Sequence, residues 1–170
     1  MQEKFLGLMA QFNDETQHIF TGHYDILCQN GFIGNQIKNI PYHITLGNHA
    51  ISYGDKQLCD DLERICSETS CININLSYIG LFDLKVLFVA PNMNFELLKL
   101  QNSFFNNCGN GYHSWAAHVT LLMDEPVNIL KALPIAVEHF EPFKAQIESV
   151  ALYEFYPARL IREYRLNCHE

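Results

Sequence analysis

The chain is short of positive charge. Lys and Arg together number 11 against 19 Asp and Glu, a formal net charge of −8 over 170 residues. Broad binding to long nucleic acid needs a basic surface, so that class of function is excluded. A nucleotide or an RNA end held by a few local contacts is not. No apolar run approaches the ~20 residues of a membrane-spanning helix. The opening Met1-Gln2-Glu3-Lys4-Phe5 has an acidic residue and only a short apolar run behind it. No secretory leader is therefore expected, and the expected setting is cytoplasmic. The six cysteines (28, 59, 66, 71, 108 and 168) contain no C-x-x-C pair and no zinc spacing. They read as small buried hydrophobes kept reduced, with a disulfide or metal site as the minor alternative. A Gly-rich phosphate loop with its Lys, a carboxylate cluster and a metal triad are also missing.

What is present is an ordinary globular composition, 48% hydrophobic and 18% charged. That suits one well-buried domain or two small halves sharing a core. Within it, His43-Ile44-Thr45-Leu46 is echoed by His118-Val119-Thr120-Leu121. Both tetrapeptides sit in short apolar runs that read as buried strands. Strand side chains alternate, so His and Thr share one face and the apolar pair takes the other. Counting matches to the pattern His-apolar-Ser/Thr-apolar gives roughly 0.13 expected by chance, so two copies carry a chance of about 1%. One copy alone reads as a satisfied sheet histidine. Two copies read as a site with two imidazoles and two hydroxyls.

The rest of the chain supports a duplication. The first half reads as a strand over 5–12, a helix from the Asn13 cap to about 30 with Gly31 behind it, and a loop over 34–40. The motif strand 42–47, a helix over 55–68 and an alternating strand over 72–82 follow. The second half reads as an apolar strand over 86–90, a helix from Asn94 to about 106 and an Asn/Gly-rich loop over 106–111. Then come the motif strand 117–123, a helix over 127–140 with Pro134 as a kink or split, and strands over 144–155 and 160–166. The motif histidines are 75 residues apart, and 31 residues beyond each lies an alternating strand, at Ile74 and at Ser149. The expectation is one domain over 1–170 built from two repeated lobes, about 4–82 and 84–166, facing across a groove.

On these residues the chain resembles the two-histidine (2H) phosphoesterase superfamily, most closely its bacterial 2′-5′ RNA ligase / cyclic phosphodiesterase branch. The resemblance covers approximately residues 4–166. It implies an α+β, bilobal duplicated fold, with antiparallel-rich sheets and flanking helices around a central groove. It also implies catalysis without metal or other cofactor. His43 and His118 become the catalytic histidines, and Thr45 and Thr120 the phosphate-binding hydroxyls. The implied partner is a ribonucleotide or RNA end carrying a cyclic phosphate or a 2′-5′ linkage, met by a monomer, with no membrane and no long double-stranded nucleic acid.

The chemistry suits those residues. Opening a cyclic phosphodiester needs a base for water and an acid for the departing ribose oxygen. Imidazole, with an unperturbed pKa of ~6.5, serves in either form near neutrality. Threonine hydroxyls donate to the non-bridging oxygens, where transition-state charge collects. Which histidine is base stays open, as do two other functions: 2′-5′ ligation or its reversal, and a non-catalytic module binding a phosphorylated nucleotide. Further candidates for base stacking or substrate contact are Trp115, Tyr112, Tyr156 and Arg159. For Trp115, stacking and core packing are both open. Tyr42, adjacent to His43, points to the opposite face and reads as core. Arg159 and Arg165 share one face of the last strand and Arg162 the other, by default a solvated edge.

Overall fold

A computed structural model describes residues 3–105 and 115–168. Tyr112 and the Asn/Gly loop expected over 106–111 lie outside the described residues. The strands are β1 (Phe5–Phe12), β2 (His43–Ala50), β3 (Ile72–Phe82), β4 (Val86–Pro91), β5 (Val119–Met123), β6 (Phe143–Phe155) and β7 (Arg159–Arg165). The helices are α1 (Asp14–Gln29), α2 (Asp55–Glu68), α3 (Phe95–Phe105) and α4 (Pro126–His139). Among the described residues no helix is long and apolar enough to cross a membrane.

Local chemistry sets the helix ends. The Asn13 side chain accepts from the Thr16 amide at 3.0 Å, and Asp14 and Glu15 follow at the positive end of the helix dipole. At the other end Gly31 takes φ +88°, with Gly31 N–H donating to Cys28 O and Phe32 N–H to Leu27 O. That is the Schellman arrangement, in which glycine adopts a left-handed conformation at no Cβ cost. Asn94 caps α3 through the Leu97 amide at 2.8 Å. Pro134 neither splits nor ends α4. It lies on the exposed side, where water can reach the carbonyl left without its usual donor.

All the strands join one antiparallel sheet in the order β2-β1-β6-β3-β4-β5, with β7 added beside β6. The expected lobe boundary at 82–84 falls between β3 and β4, but pairing groups the strands differently. β6 of the later half joins β1 and β2, and β3 of the earlier half joins β4 and β5. Here each half lends a strand to the other.

The registers repeat across this exchange. Thr45 pairs with Met9 and Gly47 with Leu8, skipping Leu46; Thr120 pairs with Phe88 and Leu122 with Leu87, skipping Leu121. Ser149 and Ile147 pair with successive residues of β1, skipping Glu148; Tyr78 and Leu76 pair with successive residues of β4, skipping Ser77. Where β3 meets β6, the same relation exchanges Ile72–Ile147 with Leu76–Phe143 and maps Ile74–Ala145 onto itself. A local twofold thus passes between Ile74 and Ala145. One apolar core runs from Leu8, Ile44 and Leu46 through Ile74 to Val89, Val119 and Leu121.

Two expectations need correction. Cys71 and Cys168 are joined in a disulfide, with Cα atoms 4.9 Å apart. The chain leaving β7 returns beside the start of β3, with Asn167 N–H on Thr69 O at 2.8 Å, and this sets the two cysteines side by side. In β7, Arg159 pairs with Glu154, Arg162 with Leu152 and Arg165 with Ser149. An extra residue at Ile161 shifts the parity, so Arg159 shares a face with Arg162 and not with Arg165.

Candidate active site

Each motif begins with the same short-range contact. His43 Nδ1 lies 2.7 Å from the Pro41 carbonyl, and His118 Nδ1 lies 2.8 Å from the Ala116 carbonyl. A carbonyl only accepts, so Nδ1 carries the proton and donates in both rings. Each Nε2 is then the nitrogen left for chemistry. The skipped residue directly after each threonine is a β-bulge, a device that re-aims neighbouring side chains on an otherwise regular strand.

The two motifs come together in space although β2 and β5 are opposite ends of the strand order. The Trp115 indole N–H donates to the Thr45 carbonyl at 2.9 Å, and its ring packs on the core. His43 and Thr120 line one cavity of about 600 Å³, with Met9, Phe155 and the segment 36–42 among its walls. Burial holds the His43 imidazole below its ordinary 6.5; the bond to the Pro41 carbonyl opposes this, and nearby His118 pushes it further down.

The surroundings of the two histidines differ. The His118 ring meets Phe82 edge-on at 4.8 Å and Phe88 at 5.4 Å. Phe88 can lie there because Gly80, across the strand pair, has no side chain: a Cβ would come within 2.4 Å of its ring. The registers give Met9 as the counterpart of Phe88, Ala151 of Gly80 and Tyr153 of Phe82. Gln11 is the cross-strand partner of His43, and its amide lies beside the Tyr153 phenol. The His118 ring thus packs against two phenylalanines, whereas the strand partner of His43 is a glutamine.

The approach to His43 is held by residues that the sequence did not single out. The Gln17 side chain both accepts from the Tyr42 amide (2.9 Å) and donates to its carbonyl (2.8 Å). Asn35 N–H donates to Met123 O at 2.7 Å, and Gln36 Oε1 accepts from Met123 N–H at 3.1 Å. Polar residues of a helix and a loop carry no local signal of such a role. Tyr42 stacks on Phe20 at 5.1 Å, and burial pushes its phenol to about 12.

The softer candidates fall elsewhere. Trp115 commits its N–H to Thr45. Tyr156 is exposed and meets Phe5 and Phe155 edge-on. Arg159 pairs with Glu154, which also binds Lys4 at 3.0 Å. The register puts Arg159 on the face opposite Met9 and Phe155, the β1 and β6 residues that line the cavity.

A family model, the 2′-5′ RNA ligase superfamily, matches residues 28–157. The chain belongs to this superfamily, that of the 2H phosphoesterases. No curated protein matches the sequence. Among solved structures, apo LigT of E. coli is similar at 16% identity and a TM-score of 0.63, covering 98% of this chain and 99% of that one. TT0787 of Thermus thermophilus is similar at 13% identity and a TM-score of 0.69, covering 98% and 100%. A structure described as a phosphoesterase is similar at 14% identity and a TM-score of 0.64, covering 96% and 99%. These likenesses carry the α+β fold.

Proposed function

We propose that the protein is a phosphodiesterase that opens the 2′,3′-cyclic phosphate of a ribonucleotide or RNA end by acid–base catalysis from His43 and His118. The observation that carries this reading is the repeated motif: two imidazoles tethered alike through Nδ1, with residues of both motifs lining one cavity. The superfamily's name and the binding of 3′-AMP by LigT point to the same class of ligand.

In the hydrolytic direction His43 is the base. Burial favours its neutral form, so its Nε2 accepts a proton from water as the water oxygen bonds to phosphorus. The bond from phosphorus to one ribose oxygen breaks, and His118 Nε2–H supplies that oxygen's proton. Attack and departure lie on opposite sides of phosphorus, which is why one imidazole per wall is needed. Thr45 and Thr120 donate to the non-bridging oxygens. With an RNA 5′-OH in place of water, the same pair would join it to phosphorus as the 3′ oxygen leaves, forming a 2′-5′ linkage; in reverse, the 3′-OH attacks phosphorus and the 5′ oxygen leaves with a proton.

The test is incubation with nucleoside 2′,3′-cyclic phosphates and a 2′-5′-linked dinucleotide, followed by ³¹P NMR. Ring opening to a single monophosphate isomer supports the reading and names the leaving oxygen. Turnover of the dinucleotide alone moves the assignment to the 2′-5′ activity. Binding without turnover of either makes the protein a nucleotide-binding module.

A further inference from the structure

The cavity next to the motifs has a charge unlike the rest of the molecule. The chain has 19 Asp and Glu, yet none is among the residues that line it. Among the described residues one lysine does, Lys38, and no arginine. Lys38 has no ion-pair partner among the described residues, a state it shares with Lys56, Lys85, Lys99, Lys131, Lys144 and Arg162, but of these it alone is among the residues that line the cavity. An acidic protein thus has a cavity whose described lining holds no carboxylate and one lysine, at its exposed rim.

The segment bearing Lys38 is fixed at both ends. Asn35 and Gln36 are bonded to Met123 at the end of β5, and the Tyr42 backbone is held by Gln17. Lys38 is therefore carried on a short strap that spans from β5 to the first motif, five positions before His43. A cavity of about 600 Å³ is the size that holds a whole nucleotide and not a phosphate group alone. The reacting phosphodiester, between the motifs, is served by imidazoles and hydroxyls and leaves the ammonium unused.

We infer that Lys38 binds a second phosphate, so that the preferred substrate is a ribonucleotide bearing another phosphate group on its 5′ side. This rests on the reading that the reacting phosphodiester lies between His43 and His118. Two sources share that chemistry: a 5′-phosphorylated mononucleotide and the next linkage of an RNA end. A lysine ammonium is a compact point charge on a flexible stem and accepts either.

The experiment has a kinetic and a binding arm. Adenosine 2′,3′-cyclic phosphate, its 5′-phosphorylated form and a dinucleotide ending in the cyclic phosphate are compared for kcat/KM. Adenosine 3′-monophosphate and adenosine 3′,5′-bisphosphate are compared for Kd by calorimetry. Wild type should favour the second phosphate by about tenfold in both arms, as a charge-assisted contact provides. In Lys38→Met the ratio should fall to about one, and in Lys131→Met, on exposed α4, it should persist. Preference for the dinucleotide alone assigns the phosphate to an RNA chain. A ratio near one in wild type, or one that survives Lys38→Met, overturns the inference. The binding arm decides this even if no cyclic phosphate is opened, an outcome that would reject the proposed activity instead.

Discussion

Trp115 and Thr45 are 70 positions apart, yet the indole N–H of one donates to the carbonyl of the other at 2.9 Å. Thr45 is the hydroxyl residue of the first motif, and Trp115 lies three residues before the second histidine. The bond is thus a strut between the two motif strands. Trp115→Phe keeps a ring in the core and removes the donor. It should cost about 0.5–1.5 kcal/mol of stability by urea denaturation. If the two motifs carry the proposed acid and base, it should also lower kcat about tenfold with little change in KM, since a small misplacement of opposed groups is felt in the rate. Unchanged kcat would make the bond purely structural.

The rate should hold at mildly acidic pH. On the proposed mechanism His43 is the neutral base, and burial holds its pKa below 6.5. Its proton therefore arrives only below that value, and the acid limb of kcat/KM should have its midpoint under 6.5. The sign for stability is the same. An unfolded His43 takes up its proton as pH falls through 6.5 while the folded one resists, so folded stability should decline from 6.5 down to the folded pKa. An acid limb centred above 6.5 would contradict the burial of His43.

Gly47 follows the first motif and lies under the Phe105 ring, which stacks on His49 at 4.7 Å. A Cβ at position 47 would come within 2.1 Å of that ring. Gly47→Ala should therefore destabilise by about 1–3 kcal/mol through overpacking. Gly22 has nothing within 4 Å of the added atom, so Gly22→Ala should be neutral or stabilising. Equal melting temperatures for the two variants would refute the packing at Gly47.

The Cys71–Cys168 disulfide spans 97 positions. A cross-link of that reach typically stabilises by about 2–4 kcal/mol. Thiol titration of the denatured protein should count two fewer thiols before reduction than after, and reduction should lower the melting temperature. An unchanged count would contradict the pairing.

Local features were legible in the sequence. Asn13, Gly31 and Asn94 cap helices through bonds made within a few residues, and the His-x-Thr pattern needs only strand alternation. Features that depend on distant partners were not legible. The exchange of β3 and β6 between the halves of the sheet follows from pairing and not from order along the chain. The bulge at Ile161 reverses the expected faces of the arginines because one added residue changes the strand's parity. For Trp115 the sequence leaves stacking and packing equally open because its partner, the Thr45 carbonyl, is a backbone atom that any residue would supply. Gln17 gave no signal for the same reason.

The most direct measurement is the rate of ring opening by His43→Ala and His118→Ala on a nucleoside 2′,3′-cyclic phosphate, with the Kd for adenosine 3′-monophosphate measured alongside. Two-histidine catalysis predicts that each variant loses at least about 10²-fold in kcat while Kd changes by only a few-fold. A variant of either histidine that keeps near-normal kcat would contradict it, because one imidazole would then suffice for both proton transfers.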